Sequence, residues 1–213
     1  MRIIGFLGVL LFISACGGGS SSSDITIDSG QDSSSGQPCS NYQSNNGNGS
    51  TLNCTIVHDN IARQFFIYEG SGYQNNAPVL FVLHGYTSRA LWIMNYSGFQ
   101  SIADDAGVIV IYPQGTLLPA TGQTHWNVGG WTTSSTTDDV GFINSVINFL
   151  NDEYSIDSKR IYSTGMSNGG YMSYKLACDL SPRIAAVVSV TGSMTNETTD
   201  GCNPTHPTSV AQI

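Results

Sequence analysis

Charged side chains are scarce in this chain of 213 residues: they make up 10% of it, against roughly 25% in an average soluble protein. Cations are scarcer still. Seven Lys and Arg face fifteen Asp and Glu, for a formal charge of −8 and a pI near 4.6. A nucleic-acid binder needs a basic stripe to neutralise phosphates, and seven scattered cations cannot assemble one. DNA and RNA are therefore poor partners, and electrostatic docking on anionic lipid is disfavoured for the same reason. No Cys-x-x-Cys pair occurs and the four His are scattered at 58, 84, 125 and 206, so a zinc site has little support. Internal repeats are missing too, which excludes solenoids and propellers. What is present is a hydrophobic share of 40%. That is enough for a core, and the length suits one domain with appendages. Surface polarity has to come from Ser, Thr, Asn and Gly, a composition suited to the outside of a cell.

The N-terminus has the form of an export signal. Met1 and Arg2 precede an eleven-residue apolar run, Ile3 to Ile13, followed by Ser14, Ala15 and Cys16. A short positive start, an apolar stretch and small residues before a cleavage site direct secretion, and the run falls short of the about 20 residues that span a bilayer. Ile13-Ser14-Ala15-Cys16 resembles the bacterial lipobox, which implies that Cys16 is lipidated and becomes the mature N-terminus. Gly17 rather than Asp follows it, which in a Gram-negative host favours the outer membrane. An ordinary secretion signal and a buried segment are the alternatives. Residues 1–16 are read as a lipoprotein signal peptide, and membrane contact is expected only through that lipid. Of the thirty-four residues 17–50, eighteen are Gly or Ser and none is Lys or Arg. Such a segment buries too little apolar surface to offset the entropy of ordering it. It is read as a flexible tether with a reach of about 30 Å, leaving residues 51–213 as the functional head.

Setting Cys16 aside leaves Cys39, Cys54, Cys178 and Cys202. An even remainder in an exported chain reads as two disulfides. Three connectivities are possible; the sequence-local pairs Cys39–Cys54 and Cys178–Cys202 are favoured.

From residue 54 onward the pattern becomes orderly. Residues 54–58 and 63–68 read as strands joined by an Asp59-Asn60 turn. The unbroken apolar run 79–83 is the sign of a strand buried on both faces. Residues 90–106 read as helix and 108–112 as a second buried strand. A Thr- and Gly-rich stretch, 117–137, reads as a long loop of the kind that is often functional. Asp138 or Asp139 can cap a helix running to about residue 154, with Val140, Ile143, Val146, Ile147 and Leu150 at helical spacing. Strand 160–163, helix 168–178, strand 184–190 and a strand opening at 208 complete the pattern. Strands alternating with helices predict an α/β fold with a mostly parallel sheet and helices on both faces.

The chemistry is carried by Ile161-Tyr162-Ser163-Thr164-Gly165-Met166-Ser167-Asn168-Gly169-Gly170. Gly165-x-Ser167-x-Gly169 matches the nucleophile-elbow pattern, and it sits between a strand and a helix as that motif requires. A Ser on so tight a turn projects its hydroxyl above the sheet, while Gly on either side lets backbones approach without a Cβ clash. The helix that starts beside the Ser offers free N–H groups to a developing oxyanion. A Gly-rich loop without chemistry is the alternative. Leu83-His84-Gly85-Tyr86-Thr87 closes the strand at 79–83, where hydrolases of this class supply the second oxyanion amide. The N–H groups of Tyr86 and Asn168 are thus expected to converge on the tetrahedral intermediate, each contributing about 3 kcal/mol to the transition state. His84 itself reads as structural, holding the loop by hydrogen bonds. The Tyr86 ring is equally suited to lining the acyl pocket or to packing in the core or at the rim.

Together, LHGYTS, HWNVGGW, DDVGFI, RIYSTGMSNGGYMSYKLAC and the later Cys202 resemble the polyhydroxybutyrate depolymerase and feruloyl esterase-like family, over most of residues 52–213 and in the family's order. The resemblance implies an α/β-hydrolase fold and a secreted serine esterase with Ser167 as nucleophile. It further implies an oxyanion hole from the amides of Tyr86 and Asn168, and a Cys178–Cys202 bridge. It places Trp126 and Trp131 near the active-site cleft; read from the chain alone they are loop aromatics, which pack as core about as often as they touch substrate. The expected partner is an ester or polyester substrate, of polyhydroxyalkanoate or of feruloylated or acetylated polysaccharide. An acyl-enzyme route needs only side chains and water, so neither a metal nor an organic cofactor is called for. A serine peptidase of the same fold and a non-catalytic polymer- or carbohydrate-binding lipoprotein are the competing functions.

Hydrolases of this fold order their triad as Ser, then Asp or Glu, then His. Downstream of Ser167 the acids are Asp179, Glu197 and Asp200, and the one His is His206. None stands where the family carries a triad member, so the expectation is a sequence truncated before its acid and base, with an incomplete fold at the C-terminus. Without a base, Ser167 is an ordinary alcohol at neutral pH. These 213 residues alone are expected to be nearly inactive on p-nitrophenyl butyrate while the complete gene product turns it over; robust activity from the 213 residues would mean that the triad is misplaced.

Overall fold

The computed structural model describes residues 38–44 and 46–213. The lipobox and its Cys16, the signal peptide and most of the tether lie outside the described residues. Among the described residues, ten strands and five α-helices follow in chain order: β1 (Cys39–Tyr42), β2 (Ser50–His58), β3 (Ile61–Glu69), β4 (Ala77–Leu83), α1 (Ala90–Ser97), α2 (Phe99–Ala106), β5 (Ile109–Pro113), β6 (Thr116–Leu117), β7 (Thr124–His125), α3 (Asp139–Glu153), β8 (Ile156–Met166), α4 (Asn168–Asp179), β9 (Ala186–Val190), α5 (Asn196–Gly201) and β10 (Ser209–Gln212).

Eight strands form one sheet in the order β1-β2-β3-β5-β4-β8-β9-β10. The first four neighbours pair antiparallel, and from β5 through β4, β8 and β9 to β10 every pairing is parallel. The period-two alternation of the central strands sends side chains to two separate cores. Phe65, Ile67, Ile109 and Ile111 pack on one face with the α3 stripe Phe142, Ile143, Val146, Ile147 and Leu150, and with Met172 and Leu176 of α4. Phe66, Tyr68, Val110 and Tyr112, one residue out of phase, pack on the other with Ala90, Ile93 and Met94 of α1 and Ala103 of α2. Helices on both faces of a mostly parallel sheet are the predicted α/β-hydrolase architecture. Among the described residues no helix is long and apolar enough to cross a membrane.

Several boundaries differ from those expected; the strand read as 54–58, for one, begins at Ser50. The tether was expected to run to residue 50, yet β1 pairs with β2 inside residues 39–42, in register Cys39↔Cys54. The hydrogen bonds of a strand edge and a disulfide order what composition alone left loose. The helix expected over 90–106 is two helices, because Gly98 between them takes φ 71°, a left-handed conformation that ends a helix and that Gly adopts without Cβ strain. The strand expected at 160–163 begins at Ile156. Asp138 caps α3 as expected, its carboxylate accepting from the Gly141 amide at 2.8 Å.

Both disulfides form with the favoured pairing, Cys39–Cys54 and Cys178–Cys202. The first closes a loop with a sequence separation of 15. Replacing both Cys39 and Cys54 by Ala is expected to cost about 3 kcal/mol in urea unfolding; a loss below about 1 kcal/mol would show that β1 frays without weakening the domain.

Candidate active site

Ser167 joins β8 to α4 at φ 51° and ψ −119°, a sparsely populated conformation that costs on the order of 1–3 kcal/mol in a residue with a Cβ. Two further non-Gly residues with positive φ lie in segments that meet the elbow: Thr87 at 66° and Thr191 at 53°. The strain at Ser167 follows from how closely α4 approaches the sheet. A Cβ on Gly169 would stand 2.4 Å from the Leu83 carbonyl oxygen and 2.7 Å from that of His84; one on Gly165 would stand 2.4 Å from the Gly169 carbonyl carbon. Only Gly fits at either place. The turn is pinned by the Ser167 N–H donating to Val190 O at 2.8 Å and by the Tyr171 N–H donating to Ser167 O at 3.0 Å. The Ser167 side chain is exposed while Asn168, Gly169 and Gly170 behind it are buried.

A cavity of about 580 Å³ opens over Ser167, lined among others by Gly85, Tyr86, Arg89 and Trp92. The loop after β4 therefore lies against the elbow, and Gly85 allows it: a Cβ there would meet Met166 O at 3.3 Å. Asn168 is the first residue of α4 and its N–H has no intrahelical acceptor. Among the described residues, neither that amide nor the amide of Tyr86 donates to a backbone or side-chain acceptor outside regular structure. Both stay available to a ligand. The Tyr86 hydroxyl is hydrogen-bonded to Thr121 Oγ1 at 2.6 Å, which ties the oxyanion loop to the long loop at 117–137.

His84 is completely buried, and its hydrogen bonds assign its tautomer. Nδ1–H donates to Gly85 O at 2.8 Å, while Nε2 accepts from the Gly115 N–H at 2.9 Å. A protonated ring would lose the second bond, and burial pushes the imidazole pKa down to about 4. His84 is a neutral strut for the Gly85-Tyr86 backbone, as expected, and not a base.

Trp126 was a candidate for the substrate cleft, and the structure corrects this. It is fully buried; its indole N–H donates to His84 O at 2.9 Å and its ring lies 4.9 Å from that of His84. Its backbone is held twice by the Asn168 side chain: the Trp126 N–H donates to Oδ1 at 2.7 Å, and Nδ2–H donates to Trp126 O at 3.1 Å. A bulky aromatic with one polar atom is well placed to seal such a junction, and no face of it remains for a ligand. Trp131 keeps an exposed face, packs edge-on to Tyr171 of α4 at 4.9 Å, and stands outside the lining of the Ser167 cavity. The aromatics that do line the cavity are Tyr86 and Trp92, and Trp92 falls within the helix expected over 90–106. Its signal was an i, i+4 pair with Tyr96 on the side of α1 opposite the buried Ile93 and Met94.

The remaining histidines serve elsewhere. His58 Nε2 meets Asp138 Oδ2 at 3.0 Å, His125 Nδ1–H donates to Thr116 O at 3.0 Å, and His206 Nδ1 meets Thr205 Oγ1 at 3.1 Å. Among the described residues, no imidazole is hydrogen-bonded to Ser167. One group with ligand atoms within 4.8 Å of one another, His58, Asp59 and Asp138, could hold a cation, although Asp138 is already engaged as the cap of α3.

Fold and elbow together define an α/β-hydrolase with a serine-centred cavity. Residues 94–207, more than half of the chain, match the prolyl oligopeptidase family, and the chain belongs to that family. Among curated relatives, it is 30% identical over 142 residues to a bifunctional acetylxylan esterase/xylanase of Neocallimastix patriciarum, 33% over 149 residues to feruloyl esterase B of Piromyces equi, and 30% over 124 residues to a poly(3-hydroxybutyrate) depolymerase of Ralstonia pickettii. These alignments cover 67%, 68% and 53% of this chain and 20%, 27% and 24% of the relatives' own lengths. The acetyl xylan esterase of Aspergillus awamori shares the fold with a TM-score of 0.59 at 21% identity, over 70% of this chain and 56% of that one.

Stability should report the neutral strut. An unfolded His protonates below about pH 6.5 and His84 in the fold only near 4. The unfolded state thus binds the extra proton between those values, and stability falls as pH drops through that window, by about 3 kcal/mol for this group. His84→Gln is expected to flatten the pH 4 to 6.5 slope of the unfolding free energy, measured in urea; an unchanged slope would mean that His84 is not the buried neutral group described.

Proposed function

We propose that the protein is a serine carboxylic-ester hydrolase that works through an acyl-enzyme on Ser167. The observation that carries this reading is an exposed hydroxyl held at φ 51° at the mouth of a cavity shared with the Tyr86 segment. In the proposed reaction the Ser167 oxygen attacks the ester carbonyl, and the oxyanion is received by the N–H groups of Tyr86 and Asn168. The alcohol departs, and water cleaves the acyl-enzyme. The Oγ proton passes to a general base, an imidazole that none of the described histidines supplies. The relatives named as acetylxylan esterase, feruloyl esterase and poly(3-hydroxybutyrate) depolymerase support ester or polyester bonds as the substrate class.

The two disulfides suit an exported protein. To this the proposal adds lipidation at Cys16, with the hydrolase held at the cell surface.

A second reading, a serine peptidase, is favoured by the family's description; the names of the relatives favour esters. On the full-length protein, Ser167→Ala is expected to lower p-nitrophenyl butyrate turnover by at least about a thousandfold with little change in melting temperature, and to abolish labelling by a fluorophosphonate probe. Cleavage of peptide anilides in preference to esters would favour the peptidase. Silence toward the probe in the unaltered protein would favour a non-catalytic binding role.

A further inference from the structure

Unpaired positive charge and exposed aromatic surface coincide at the cavity over Ser167. Of the six Lys and Arg among the described residues, three are committed to carboxylates, Arg63 to Asp139, Arg160 to Asp157 and Lys175 to Asp179, while Lys159 is exposed on β8 outside the lining of the cavity. Arg183 is held by Asn144 and Asn148 at 2.7 and 2.6 Å. Arg89 has neither an ion pair nor a side-chain hydrogen bond among the described residues, and it stands in the wall of the Ser167 cavity. It occupies the N-cap of α1, whose first turn holds no acid. The positive end of a helix disfavours a cation there, so local stability gives no reason for the charge. One turn on, Trp92 lines the same cavity. Its ring is 48% exposed and is stacked on that of Tyr96 at 4.5 Å and 15°, which fixes its orientation before any ligand arrives and lowers the cost of ordering it.

A fixed indole beside a free guanidinium suits a saturated sugar ring that bears a carboxylate. The C–H face of the ring rests on the indole, while the planar fork of Arg takes the carboxylate in two parallel hydrogen bonds. On a chain of net charge −8, such a cation offsets the general repulsion of an acidic substrate at the one place where the ester must dock. We infer that Arg89 and Trp92 form a subsite for a uronate ring, so that esters carried on uronic-acid-bearing polysaccharide are selected over neutral ones. The inference rests on the esterase reading for its place beside Ser167, and it deepens that reading by naming the substrate class.

The test uses the full-length protein with acetylated xylo-oligosaccharides that carry or lack a glucuronic acid branch. The expected kcat/KM ratio of acidic to neutral substrate is about 5 to 10 at low ionic strength, falling toward 1 in 0.5 M NaCl as the charge is screened. In Arg89→Gln the ratio should fall to about 1 whatever happens to the absolute rates, and Arg89→Lys should restore it only in part. Trp92→Ala should raise KM for both oligosaccharides by about tenfold, more than for p-nitrophenyl acetate. Binding is read separately by calorimetry on Ser167→Ala, where the acidic oligosaccharide should bind and addition of Arg89→Gln should weaken it about fivefold or more. A ratio near 1 in the unaltered protein, or one that survives Arg89→Gln, overturns the inference while leaving the esterase reading intact. Failure to turn over any ester overturns that reading, and calorimetry then decides the subsite alone.

Discussion

The first turn of α4 must start against the ends of β4 and β8 with no room for a side chain, and the rest of the site depends on that approach. With 2.4 Å between the Cβ position of Gly169 and the Leu83 carbonyl, helix and strand touch through bare backbone. A chain leaving β8 can enter such a helix only by a sharp reversal, and the residue at the reversal is forced to positive φ with its side chain outward. Ser167 is exposed because its neighbours cannot be anything but buried. The same contact lays Gly85 against Met166, which puts Tyr86 in the wall of the cavity that holds Ser167.

Such a junction needs bracing, and the bracing is polar but uncharged. The neutral imidazole of His84 joins the loop after β4 to Gly115, Trp126 closes over His84, and the Asn168 side chain holds the Trp126 backbone from the helix. Both ring nitrogens of His84, the Trp126 indole N–H and both ends of the Asn168 amide find partners, and such networks hold a unique arrangement when satisfied. One buried ion pair extends the bracing: Arg63 of β3 meets Asp139 of α3 at 2.6 Å, and Asp139 also accepts from the Asn127 N–H at 2.7 Å. The 117–137 loop is thereby fastened near its middle, at Trp126 and Asn127. Polar order of this kind, carried by amides, hydroxyls and a neutral ring, is consistent with a chain that has few charges to spend on ion pairs.

The outer wall of the cavity is built differently. Arg89, Trp92 and Tyr96 make no contribution to either core, and their solvent-facing surfaces have no partner in the described fold. Rigid backbone beneath Ser167 and free side chains opposite it divide the labour in the proposed reaction: one side would fix where a carbonyl is attacked, the other would distinguish what is attached to it.

Periodicity was enough to locate the sheet, α3 and α4, because buried strands and amphipathic helices write their spacing into the chain. The Gly-x-Ser-x-Gly segment was legible for a similar reason, since only Gly tolerates the contacts around it. The interruption at Gly98 was not, because a single Gly is tolerated within many helices and only the φ it adopts decides. The strand at 39–42 was hidden by composition, its order coming from β2 and a disulfide rather than from its own residues. Trp126 and Trp92 show the limit most plainly. Both are aromatic residues in polar surroundings along the chain, and nothing local says that one is sealed under His84 while the other faces Ser167. The chain by itself determined which residues form strands, helices and the elbow, since these follow from local sterics and spacing. The tertiary structure alone decided which aromatics and cations surround the hydroxyl, since exposure is set by what packs from distant segments.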